Sequence, residues 1–115
     1  MNAEIEHLAS LDGVTGLCHH RGGIIQWQRL PDSLSRDSAA ALCSNVSKAF
    51  AAYHSADRTL TAAYLESPPH SILVTARPPA SAGEPPREFL TFLLSGRACA
   101  AAVSAAAAAW QNTSS

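Results

Sequence analysis

Gly22 and Gly23 stand between two strand-like runs, residues 14–20 and 24–30, and what surrounds this hairpin constrains the fold more than composition does. Adjacent glycines adopt the positive φ values that a tight hairpin turn requires. A short helix precedes the hairpin. One long alanine-rich helix, three more strand-like runs and a second alanine-rich helix follow it. The order predicts an α+β fold, with an antiparallel sheet and helices on both of its sides.

The elements are legible one by one. Ile5, Leu8 and Leu11 recur every three residues, one face of a short helix over 2–11 that Asp12 and Gly13 stop. Pro31, Asp32 and Ser33 end the second strand, and Ser33 or Ser35 caps a helix predicted over 35–56 with Asp37 in its first turn. Leu42, Val46, Ala49, Phe50 and Tyr53, joined by Ala39 and Cys43, form an apolar stripe wide enough to pack on a sheet. Residues 59–65, 71–76 and 88–94 read as strands. The run from Phe89 to Leu94 is nearly all apolar, as expected of a central strand covered on both faces. Pro68, Pro69 and His70 make the first connection between these strands, and Pro78, Pro79, Gly83, Pro85 and Pro86 mark residues 77–87 as an exposed loop. Ser95 is placed to cap the last helix, whose packed side carries Cys99, Val103, Ala106 and Trp110. Residues 112–115 are expected to fray.

The back of the long helix is unusual. Between Ser38 and Ala56 its only Lys, Arg, Asp or Glu is Lys48, surrounded by Ala41, Ser44, Ala51, Ala52 and Ser55. A solvated back is normally rich in Glu, Lys and Arg, whereas Ala and Ser permit close approach by another helix. A general alanine bias is the alternative, since alanine is the best helix former. The strand 59–65 contains no charge, proline or glycine, although natural sheet edges usually carry such protection. A bare edge beside a bare helix back predicts a homodimer through Ala41, Ser44, Lys48, Ala51 and Ser55 of the helix and Thr59, Thr61, Ala63 and Leu65 of the strand.

Composition excludes several function classes. The chain has 115 residues, 47% of them hydrophobic, enough for one domain with one core spanning 1–115. Eight basic and nine acidic residues give a net charge of −1, with no basic stripe to bind a nucleic-acid backbone. The first residues, with Glu4 and Glu6, are acidic where a signal peptide is basic and apolar, and the expected location is the cytoplasm. Residues 89–110 approach the length of a membrane span, but Ser95, Gly96 and Arg97 interrupt them and alanine dominates the second half, so membrane insertion is not expected.

No catalytic or metal-binding motif appears. Cys18, His19 and His20 are ligand types, but neighbours on a strand point to opposite faces, and no CxxC or HxxxH pair exists to complete a tetrahedral site. Cys18, Cys43 and Cys99 are widely spaced among apolar residues, as expected of structural thiols. The segment from Gly13 to Gly16 lacks the third glycine of a dinucleotide fingerprint and leads into a strand. No Gly-x-Ser-x-Gly elbow is present. Asp12, Asp32, Asp37, Asp57 and Glu66 read as turn or terminus residues, and Trp27 and Trp110 as packing anchors. Neither a catalytic residue nor a cofactor is assigned.

Taken with Leu11-Asp-Gly-Val-Thr-Gly16, Arg21-Gly-Gly-Ile24, the helix ending near Tyr53, Ser71-Ile-Leu-Val-Thr75 and Phe89-Leu-Thr-Phe-Leu93, the element order resembles the roadblock family of dynein light chains and their bacterial relatives. The resemblance spans Ile5 to Trp110; Ala62, Ala63 and the proline-rich loop depart from the family's longer aliphatic pattern. It implies a three-layer α/β/α arrangement, a five-stranded antiparallel sheet with one long helix on one face and two terminal helices on the other. It further implies dimerisation into a ten-stranded sheet through the third strand and the long helix. The implied function is that of a non-enzymatic scaffold or regulator, acting on or with a small Ras-like GTPase, sometimes as its activator, or within a motor or signalling complex. The alternative is a small-molecule sensor of the PAS or GAF type, which shares the five-stranded sheet but needs a ligand cavity.

Overall fold

The computed structural model describes residues 3–56, 60–67, 70–79, 81 and 83–112. Helix α1 (Ala3–Ala9) leads into strand β1 (Val14–Arg21) and strand β2 (Ile24–Arg29). Helix α2 (Arg36–Ser55) follows, then strands β3 (Ala62–Ser67), β4 (His70–Ala76) and β5 (Glu88–Leu94), and finally helix α3 (Ala100–Gln111). The expectations placed on Asp57, Thr59, Pro68, Pro69 and residues 113–115 lie outside the described residues. The strands form one antiparallel sheet in the order β2-β1-β5-β4-β3. The architecture is α+β, as the sequence predicts.

Local chemistry explains the framework. Gly22 and Gly23 have φ values of 60° and 84°, the paired left-handed conformation of a two-residue hairpin loop. Ser35 caps α2, accepting a hydrogen bond from the Ser38 amide at 3.1 Å, so the second of the two predicted caps is the one in use. Strand β5 has every residue buried and is central, as its apolar run requires.

Three expectations need correction. The strand predicted over 59–65 lies at Ala62–Ser67, later in the chain, and thereby takes in Glu66. That exposed carboxylate pairs with Arg97 across a 2.7 Å hydrogen bond from Nε. Ser95 does not cap α3, because a single 3-10 turn, Arg97–Cys99, intervenes and the Ser95 amide is bound to the Gly13 carbonyl at 2.7 Å. The packed side of α3 is Val103, Ala107 and Trp110, with Cys99 and Ala106 at its margin.

The core lies in two layers separated by the sheet, since successive strand residues face opposite sides. On one face Leu17, Leu73, Leu90, Phe92 and Leu94 pack against Ile5 and Leu8 of α1 and against Val103, Ala107 and Trp110 of α3. On the other, Ile72, Val74, Ala76, Phe89 and Leu93 pack against Val46 and Phe50 of α2, with the Phe50 and Phe89 rings 4.8 Å apart. The first half of α2 continues this layer through Ala39 and Cys43 on Cys18 of β1.

Helix α2 links one edge strand, β2, to the opposite edge strand, β3. Twenty residues of helix run about 30 Å, and four strand spacings cover only about 19 Å, so a diagonal crossing satisfies the connection. At the β3 edge the helix and the sheet do not close on each other.

A bulge reshapes β2. The pairing with β1 slips between His19 and His20, leaving Gln26 without a partner across the ladder. Ile25 and Trp27, which simple alternation would place together, therefore pack in opposite layers.

Candidate functional site

The apolar stripe of α2 is broader than the sheet beneath it can cover. Ala39, Cys43, Val46 and Phe50 are buried, but Ala49 is exposed, Tyr53 is 50% exposed and Leu42 is half-buried. These three flank an open apolar groove of about 490 Å³ between α2 and the edge strand β3. Ala63 and Leu65 form its far wall, because they pair with Val74 and Ile72 and so share the face that α2 covers. Leu65 is 49% exposed. Asn45 is the groove's polar lining residue from the helix.

The two edges of the sheet differ. Strand β2 carries the bulge at Gln26 and the charge of Arg29, both of which discourage strand addition. Strand β3 pairs with β4 without interruption from Ala62 to Ser67 and carries no bulge; its one charge, Glu66, sits near its end. Among the described residues its outer side is the sheet's other free edge.

The structure divides the residues that the sequence grouped together. Ala63 and Leu65 line the groove, and Thr61 is exposed just ahead of β3, where its carbonyl accepts from the Ala76 amide and from Gln111. Ala41, Ser44, Lys48, Ala51 and Ser55 do not join them. At 100° per residue they cluster on the side of α2 opposite the buried stripe, and Ser44 lies against Gly23 of the β1–β2 turn. Leu42, Asn45, Ala49 and Tyr53 take their place at the groove. Sequence inspection assigned the apolar members of that set to the sheet. The available signal was the width of the stripe, too broad for burial against one sheet.

A buried charge cluster was not anticipated at all. Glu88, 6% exposed at the start of β5, accepts from His19 Nε2 at 2.6 Å, from Arg21 at 3.2 Å and from Arg77 at 3.2 Å on each oxygen. Burial pushes its carboxyl up, but the hydrogen bonds from His19 and Arg21 and the charges of Arg77 and His19 outweigh this and hold it below the ordinary value. Arg77 also donates through Nε to the Trp110 carbonyl at 3.0 Å and lies 4.3 Å from the centre of the Trp110 ring. The cluster thus binds β1, β5 and the end of β4 to the last turn of α3. Its sequence signal was position: Arg21, Arg77 and Glu88 sit at strand ends that an antiparallel order brings together.

The histidines and cysteines occupy separate environments. His19 faces Glu88 and Trp110, while its neighbour His20 faces the α2 layer, stacked on Phe89 and bonded through Nε2 to Thr91 Oγ1 at 2.8 Å. Burial, and secondarily the charge of His19, push His20 down to about 4. Cys18 and Cys43 are buried and in contact; the hydrogen bond to Cys18, with burial and the neighbour's charge, pushes Cys43 up and keeps it a thiol. Cys99 is half-buried and donates to the Gly96 carbonyl at 3.2 Å. Among the described residues no three His, Cys, Asp or Glu side chains converge as a metal site, and no helix is long and apolar enough to cross a membrane. No protein-family model matches the chain, and no curated protein matches it either.

Proposed function

We propose that the chain is a non-enzymatic dimeric scaffold or regulatory module of the roadblock type, acting with a small Ras-like GTPase or within a motor or signalling complex in the cytoplasm. One observation carries the reading: an apolar groove runs beside an unbulged, unpaired sheet edge. The occupant that satisfies both features is a second copy. Pairing β3 with its twofold mate supplies partners for the free backbone groups of both edges and joins two five-stranded sheets into one. The same step brings Tyr53 and Leu65 of each copy into the other's groove, removing from water the apolar side chains the monomer leaves exposed.

The rear of α2 then has a separate role. Ala41, Ser44, Lys48, Ala51 and Ser55 stay outward in the dimer as a lightly charged surface of small side chains, suited to a larger partner that binds by shape and apolar contact. The groove on the α2-covered face lies open to solvent beside a free sheet edge, and is not an enclosed cavity, which favours this reading over a small-molecule sensor.

Multi-angle light scattering on the full chain, over a hundredfold dilution, tests the dimer. The expected mass is twice 12.0 kDa, falling to that of one chain for Ala63→Lys. A wild-type monomer throughout would refute the proposal. For the partner, capture of Ras-like GTPases loaded with a non-hydrolysable GTP analogue should weaken for Lys48→Glu while thermal stability holds, and should depend only weakly on salt.

A further inference from the structure

Beside the Glu88 cluster, at the end of the sheet where β1 stops and β5 begins, a pocket of about 200 Å³ opens to solvent. Arg21, Arg77 and Arg87 line it together with Glu84 and Glu88, and Pro78 and Pro79 form an apolar wall. Its charges are unequal to their internal pairing. Glu88 has both oxygens engaged by His19, Arg21 and Arg77. Arg87 is exposed, and its guanidinium makes no hydrogen bond or ion pair with another described residue. Three guanidinium groups against two carboxylates leave one positive charge in surplus at this place, on a chain whose net charge is −1.

We infer that this pocket binds a small, singly charged carboxylate carrying a short apolar chain. The guanidinium fork matches a carboxylate's two oxygens, and Arg87 is the group free to supply it. Arg21 and Arg77 are already held by Glu88, so their positive field is in place before the ligand arrives. The proline wall is rigid and offers apolar contact to an aliphatic tail. The volume is below the roughly 300 Å³ at which pockets for drug-sized ligands begin, which restricts the ligand to a few heavy atoms. A phosphate dianion exceeds the single surplus charge and meets the carboxylates of Glu84 and Glu88. The source is either a free short-chain acid or the C-terminus of a peptide, and both present the same group.

Titration of the isotope-labelled full chain with butanoate at pH 7, followed through backbone amide shifts, tests this. Saturable shifts are expected at residues 21–22, 77 and 87–88, with binding at least tenfold weaker for Arg87→Gln, a replacement outside the Glu88 network that leaves the spectrum otherwise folded. Butanamide, the uncharged analogue, should leave these amides unmoved, and inorganic phosphate should bind more weakly than butanoate. A tripeptide ending in valine extends the series: tighter binding than butanoate assigns the pocket to a chain terminus, and weaker binding to a free acid. The inference is overturned by equal effects of butanamide and butanoate, by phosphate binding as tightly, by shifts that never saturate, or by an unchanged affinity in Arg87→Gln.

Discussion

His19 Nε2 stands 2.6 Å from Glu88 Oε2, and this contact ties strand β1 to a carboxylate of β5 that two arginines also hold. The arrangement makes Glu88 the hub and its exposed partner dispensable. Removing one member of a buried, paired group leaves the others without compensation, at a cost of about 3 kcal/mol. Glu88→Gln should therefore lose about that much stability in urea denaturation at pH 7. Arg21, whose side chain is 58% exposed, should cost under about 1 kcal/mol when changed to alanine. Equal losses for the two would remove the hub role from Glu88.

Acid should weaken the fold in two stages. His20 is held neutral in the folded chain, with its value depressed to about 4 from 6.5, so below the unfolded value the unfolded chain binds more protons and stability falls. That loss begins near pH 6.5, amounts to about 2 kcal/mol by pH 5, and levels off below pH 4. Glu88, also depressed, contributes stability above the ordinary carboxylate range and loses it at still lower pH as the folded carboxyl takes a proton. Urea midpoints from pH 7 to pH 4 should fall for the wild type and flatten over pH 6.5–4 for His20→Asn, whatever that variant's stability at pH 7.

Two glycines with positive φ should respond differently to substitution. At Gly13, φ is 87° and an added Cβ would lie 2.6 Å from Cys99 Sγ and 2.8 Å from its Cβ. Gly13→Ala should cost about 2 kcal/mol or more, combining backbone strain with displacement of the turn before α3. At Gly22, φ is 60° and no atom of the described residues lies within 4 Å of an added Cβ. Gly22→Asn should be tolerated within about 0.5 kcal/mol, because asparagine visits this region readily. Thermal denaturation of both variants separates the two cases.

The groove and the rear of α2 should be separable by mutation. Tyr53→Ser, on the groove, should raise the dimer dissociation constant at least tenfold in sedimentation equilibrium. Lys48→Glu, on the opposite side of the helix, should leave it unchanged. A reversed outcome would place self-association on the Ala/Ser back.

Much of this fold was legible because its signals are local. The double glycine at 22–23 sets a hairpin by backbone sterics alone, Ser35 sets a helix start, and the continuous apolarity of 89–94 marks a central strand. The start of β3 was less so, since alanine and threonine around residues 59–63 carry no alternation to fix a boundary. The side of α2 that faces the groove was illegible for a different reason. Helical periodicity reports which residues are apolar, while coverage of Leu42, Ala49 and Tyr53 depends on where a diagonal helix leaves the sheet. Glu88 is hydrogen-bonded to a residue 69 positions away in sequence, and only strand register reveals the cluster.

Hydrogen exchange at the β3 backbone, measured against protein concentration, tests the proposed assembly most directly. The amides on the outer side of β3 have no partner strand among the described residues of one chain. In a dimer joined at this edge, alternate amides between Ala62 and Ser67 should exchange slowly at high concentration and progressively faster on dilution, while β5 stays protected throughout. Exchange at β3 that is rapid and independent of concentration would contradict the edge-to-edge dimer.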